Sequence, residues 1–447
     1  MKLFSFNLNR LWLGIILSIV LILPIQVLFN SPIPFLLPYF LFFIYIFFYK
    51  TIKYQRYKKK SVQKNIDYLI FIYTLLVLFH FTWQLLLSVS SISDLLSSLV
   101  IYFFPTFFYY YLKKNITSEI LFLILIGICL SGIIVGIYFV YDSYMQLILG
   151  KISNYSVLVN EYEQFRKNST EINNARLKMF ERAYGLLETH SVSSAWVSFA
   201  CFSALTLIRS EFYVKRILVI FITLIILFIG LNFTGILAFI LSIILIEFNL
   251  FKLFKFKISL IGLRHILYIC ILLFTSLVII YLILPSENQS MVLNLLNYFP
   301  QLLSGDLITR DDNRTYLQGL SDSLFGYPKL MFNYFPLGLL IGDGFTVNFG
   351  LNKGGDYGIV ETLYRFGIPF FLLFIIAIFR LIYFLFNSLY INGNNKIIKF
   401  CALILVYVLI SELHYSIWNS KSILALLFIV FAIIYKQNQP LKISLEK

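Results

Sequence analysis

Four arginines and two carboxylates are the residues best equipped for chemistry: Arg182, Arg310, Arg314 and Arg365, with Asp356 and Glu361. A guanidinium stays ionised at physiological pH, and its planar fork can take two phosphate oxygens at once. A carboxylate within hydrogen-bond reach of a hydroxyl can serve as a general base. These residues lie in two long polar stretches, 142–190 and 285–365, and His190 closes the first. Plainer readings account equally well for some of them. Arg310 and Arg314 flank Asp311 and Asp312 and can pair with them. Glu361 and Arg365 have the i, i+4 spacing that favours an ion pair on a helix.

The rest of the chain explains how such residues would be held. Of the 447 residues 60% are hydrophobic and only 13% charged, and the mean hydropathy is +0.86. That composition belongs to polytopic membrane proteins. A helix needs about 20 apolar residues to cross the hydrocarbon core. About a dozen runs approach this length, and they predict an all-α protein with about 12 transmembrane helices. They lie near Leu11–Phe29, Pro34–Tyr49, Ile66–Leu87, Leu95–Leu112, Ile120–Tyr141, Val192–Ile208, Val214–Gly230, Gly235–Phe248, His265–Leu284, Phe366–Phe386, Phe400–Leu413 and Ser422–Tyr435.

Charge orients this map. With the N-terminus inside, about two-thirds of the 36 Lys and Arg fall on the inner side. They include the cluster from Lys50 to Lys64, the Lys113–Lys114 pair, and Lys252, Lys255, Lys257 and Arg264. About three-quarters of the 21 Asp and Glu fall outside, with both long polar stretches. The net charge of +15 therefore reads as orientation and contact with anionic membrane lipids, and no nucleic acid is expected as a partner. The expectation is one integral membrane domain over residues 1–447, with extracytoplasmic loops at 142–190 and 285–365. The first apolar run has no small-residue cleavage site after it and reads as a retained span. The four cysteines, Cys129, Cys201, Cys270 and Cys401, lie in apolar runs, which implies neither a disulfide framework nor thiol chemistry.

Within the first loop, NEYEQFRKNSTEINNARLKMFERAYG has helical composition and brings Arg182 towards the outer surface. The second loop opens with SMVLNLLNYFPQLLS, whose apolar spacing fits either an interfacial helix or a loop helix packed on the bundle. It ends in a segment punctuated by Gly338, Gly342, Gly344, Gly350, Gly354 and Gly355, a pattern of tight turns and close backbone approach.

Three segments carry a family resemblance: RAYGLLETHS at 182–191, LNFTGILAFILS at 231–242, and GGDYGIVETLYRFGIPF at 354–370. Together they resemble the O-antigen polymerase and ligase superfamily, which handles undecaprenyl-diphosphate-linked glycans. In the ligases a catalytic His precedes, by eleven residues, a Gly that stands just before a span. Here Asp356 holds that place before Gly367, and the departure favours a polymerase. The cell-wall glycan polymerases of the shape, elongation and division group are similar in this respect.

The resemblance implies a membrane glycosyltransferase that joins undecaprenyl-diphosphate-linked oligosaccharide repeat units at the outer face of a bacterial cytoplasmic membrane, with both termini cytoplasmic. The leaving group would be a diphosphate held by Arg182, Arg310, Arg314 and Arg365. Asp356 would be the general base, with Glu361 as the alternative carboxylate, and His190 would contact sugar or phosphate or serve as an interfacial histidine. Arginine charge makes a metal unnecessary, and no cofactor is expected. A chain-length regulator protein is a further implied partner. A ligase and a lipid-linked oligosaccharide flippase are the competing expectations. The absence of internal repeats and the scarcity of mid-span charges weigh against a carrier.

Overall fold

A computed structural model describes residues 61–86, 92–151, 153, 190–230, 232–247, 358–391, 395–413, 417–418 and 420–437, with isolated positions 275, 282, 340 and 342. Among the described residues there is no strand. The helices are α1 (Ser61–Leu86), α2 (Ile92–Asn115), α3 (Ser118–Ser143), α4 (His190–Leu207), α5 (Tyr213–Ile229), α6 (Phe233–Ser242), α7 (Gly358–Ile391), α8 (Lys396–Glu412) and α9 (Lys421–Gln437). Single π-helical turns, Tyr144–Ile148 and Ile243–Glu247, continue α3 and α6. The first and second apolar runs lie outside the described residues, as does the ninth apart from Thr275 and Leu282.

Local chemistry sets where the helices start. Thr117 caps α3 by accepting from the Ile120 N–H, and Asn232 caps α6 by accepting from the Gly235 N–H at 3.1 Å. Asn395 caps α8 by accepting from the Ile397 and Ile398 N–H groups at 3.2 and 3.1 Å. Each cap satisfies donors that a helix leaves orphaned at its first turn. Inside the helices, Thr74, Ser143, Ser198, Thr206 and Ser242 donate to carbonyls four residues back, so their hydroxyls need no water.

The interior and much of the outer surface are both apolar. Nearly every side chain of α4 is buried, and Leu403, Ile404, Leu426, Ile429 and Val430 of α8 and α9 are fully enclosed. Yet α7 exposes Leu372, Leu373, Ile376, Phe379 and Tyr383, and α3 exposes Leu130, Ile133, Ile134 and Ile137. A surface of this kind suits hydrocarbon and not water. Three helical stretches, Ile66–Leu86, Ser118–Gln146 and Thr362–Tyr390, are long and apolar enough to cross a membrane. The tightest packing joins α3 to α4. A Cβ on Gly132 would collide with Ala200 and with the Trp196 carbonyl, so the backbones meet there. The GIIVG spacing of Gly132 and Gly136 is the small-residue pattern that permits this approach.

Ionic contacts sort the helix ends. Lys113 of α2 pairs with Asp67 of α1 at 2.7 Å, and the Tyr109 hydroxyl donates to the same carboxylate. Glu247 takes Arg216 at 2.7 Å and Lys399 at 3.4 Å, while Lys396 donates to the Ile208 carbonyl. The α1, α5 and α8 starts thus gather with the α2, α4 and α6 ends at a basic end of the bundle. His190, Asn232, Glu412 and Ser422 lie at the opposite ends of their helices.

Candidate functional site

Helix α7 is two helices joined at Gly367, where the backbone turns to φ 76° and ψ 166°. Only glycine adopts that conformation readily. Pro369 follows, in the first turn of the long rod, where its missing N–H costs nothing. The half-helix Gly358–Phe366 therefore approaches the rod at an angle. Gly342, at φ 78°, is laid against this break. A Cβ on Gly342 would strike the Arg365 carbonyl. A Cβ on Gly367 would strike the Leu340 carbonyl and stand 2.8 Å from the Gly342 nitrogen. The two backbones touch because both residues lack side chains.

The break sets the position of Arg365, which is half-buried. Its Nη1 donates to the Tyr102 hydroxyl at 2.7 Å, and the guanidinium lies 5.9 Å from that ring's centroid. The Tyr73 hydroxyl donates to the Tyr102 carbonyl at 3.1 Å, and the Tyr73 ring packs on Phe366 and Phe428. Tyr102 is about 15 Å along α2 from Ile92 and about 16 Å from Lys113, at 1.5 Å per residue. Arg365 thus reaches a partner near the middle of a helix whose side chains are largely apolar.

Tryptophan fixes the other side of the half-helix. The Trp418 Nε1 donates to Thr362 Oγ1 at 2.6 Å, and the Thr362 hydroxyl donates to the Gly358 carbonyl at 3.0 Å. The Trp418 backbone N–H donates to Glu412 Oε1 at 2.7 Å, and its ring stacks on Phe374 with centroids 4.7 Å apart. Below it is a cavity of about 60 Å³ lined by Thr362, Glu412 and Trp418 and by apolar side chains including Leu405 and Phe428.

A second polar cluster lies at the start of α4. Asn232 Nδ2 donates to the His190 carbonyl at 3.3 Å and to Ser194 Oγ at 2.9 Å, while its Oδ1 caps α6. A Cβ on Gly235 would stand 2.9 Å from the Ser194 Cβ, so this junction also requires a small residue. Trp196 Nε1 donates to Ser422 Oγ at 3.0 Å, linking α4 to the first turn of α9, just past the Trp418 segment.

Of the residues expected from sequence, Arg365 and His190 are described with their side chains. Glu361 lies in the half-helix, but its side chain is outside the described residues. Asp356, Arg182, Arg310 and Arg314 also lie outside them, as do Asp311 and Asp312. The helix starts at Gly358, within the stretch read as loop. The structure joins the ends of two sequence segments, at His190 and at Asn232, and ties the third to them through Trp418, α9 and Trp196. Tyr102, Thr362 and Trp418 were not singled out from sequence; only Trp418, as one of 4 tryptophans, carried any signal. Asn232 was not singled out either, although an Asn just before an apolar run is a helix-cap signal. No protein family's sequence profile matches the chain, and no curated protein matches it.

Proposed function

We propose that the chain is a polysaccharide polymerase of a bacterial cytoplasmic membrane. It joins undecaprenyl-diphosphate-linked oligosaccharide repeat units at the outer face, as a twelve-span protein with both termini cytoplasmic. The observation that carries this reading is Arg365, a half-buried guanidinium supported by Tyr102 at a glycine-enforced helix break, in the first turn of an apolar helical stretch. Such a cation suits an anionic group that arrives on a lipid, because it meets the diphosphate where water is scarce and Coulomb attraction is strong. Arg182, Arg310 and Arg314 add charge from the two outer loops. Asp356, two residues before the half-helix, takes the proton from the acceptor hydroxyl, with Glu361 as the alternative base. The glycosidic bond forms as the bond between the anomeric carbon and the diphosphate oxygen breaks, and the lipid diphosphate leaves. Arginine charge replaces a metal, and no cofactor takes part.

Deletion of the gene in its host tests this reading. Single lipid-linked units accumulating on the outer membrane face are the expected result. Units trapped on the inner face would make the chain a flippase, and long polymer left on its lipid carrier would make it a ligase.

A further inference from the structure

The geometry points to a positioning relay, Glu412 to Trp418 to Thr362, that fixes the half-helix Gly358–Phe366 and so aims Arg365. It rests on the reading of that half-helix as part of the diphosphate site. Glu412, the last residue of α8, accepts from the Trp418 backbone N–H at 2.7 Å and so holds Trp418 in place. That places the indole so that Nε1 donates to Thr362 at 2.6 Å. Thr362 is already donating to the Gly358 carbonyl, so its hydroxyl is used in both directions and its rotamer is fixed. Arg365 lies one helical turn further on, and the rings of Phe366 and Phe374 close over the same indole at 5.5 and 4.7 Å. A half-helix of about nine residues cannot hold itself in register; Arg365 ties it to Tyr102 of α2, and on its Thr362 side the anchor is Glu412 of α8, through Trp418. None of the three relay residues needs to touch substrate. They are positioning residues, and what Glu412 supplies to the relay is its acceptor oxygen.

Two measurements on the full chain in lipid nanodiscs test the relay: amide hydrogen exchange over 358–366, and steady-state polymerisation of a lipid-diphosphate repeat unit. Trp418→Phe removes the hydrogen bond to Thr362 and should speed exchange over 358–366 about fivefold, and Thr362→Val, which also removes the bond to the Gly358 carbonyl, should speed it at least as much. They should lower kcat with KM within twofold, and the double variant should be no worse than Thr362→Val alone. Thr362→Ser and Glu412→Gln keep the hydroxyl and the acceptor and should behave as the parent, whereas Glu412→Ala should match Trp418→Phe. Unchanged exchange in both Trp418→Phe and Thr362→Val would overturn the relay. So would additive losses in the double variant, or a Glu412→Gln protein as impaired as Glu412→Ala. Faster exchange in Trp418→Phe and Thr362→Val, with a parent chain that makes no polymer, would leave the relay standing and remove the proposed reaction.

Discussion

Replacing Arg365 by alanine removes the one described cation held beside the glycine break. At an effective dielectric of about 20, unit charges about 4 Å apart interact by about 4 kcal/mol. An oxygen gaining about half a charge as the diphosphate leaves would then gain about 2 kcal/mol from the guanidinium, a factor of about 30 in rate. Water exclusion by bound substrate would raise the factor towards the 10²–10³ typical of a deleted transition-state donor. Arg365→Ala should therefore lose about 30- to 1000-fold in kcat. Arg365→Lys keeps the charge but not the fork, and should lose about tenfold. Tyr102→Phe removes the acceptor at 2.7 Å and should lose about fivefold, since the guanidinium is then less firmly aimed. Loss of the hydrogen bond to the Tyr102 hydroxyl costs about 1–2 kcal/mol, and rates are compared only between variants that insert and stay monodisperse. The assay is the initial rate of chain growth by purified variants in nanodiscs. A folded Arg365→Ala protein within threefold of the parent would refute the reasoning.

Other outcomes follow from packing. Gly367→Ala should cost about 2–5 kcal/mol, because alanine cannot take the backbone there without strain and its methyl would meet the Leu340 carbonyl; thermal unfolding in detergent measures it. Gly132→Ala should destabilise by about 1–3 kcal/mol through collision with the Trp196 carbonyl. Gly136→Ala, whose new methyl would find its nearest neighbour at 3.6 Å, should stay within about 0.5 kcal/mol of the parent in the same experiment. Asn232→Ala removes a cap and two cross-helix bonds, and should cost about 1–2 kcal/mol. Excess EDTA should leave the polymerisation rate unchanged; loss restored by a divalent ion would show that a metal supplies charge the arginines do not.

Much of the architecture was legible because hydropathy and helix formation report the same residues. α3 covers the run read as Ile120–Tyr141, and α4 covers Val192–Ile208 to within a residue. Hydropathy stops at charges where helices need not. α2 runs on to Asn115 because Lys113 finds Asp67 on α1 and stays within the bundle. The half-helix was missed for the opposite reason. GIVETLYRF is short and mixed in polarity, and Trp418, 56 residues away in sequence from Thr362, anchors it. The break at Gly367 and Pro369 was read as the start of a span, whereas the close approach of Gly342 matches the glycine spacing. Arg365 was legible as an arginine of the second long polar stretch, but its partner Tyr102, 263 residues distant, was one aromatic among many. The π-helical turns left no periodic signal.

The central claim is that this chain itself elongates a lipid-diphosphate glycan. Purified protein in nanodiscs, given only an undecaprenyl-diphosphate-linked repeat unit, should yield a ladder of products spaced by one repeat, with free lipid diphosphate released in step. Unchanged substrate after long incubation with well-folded protein would contradict the account, as would its movement across the bilayer without elongation.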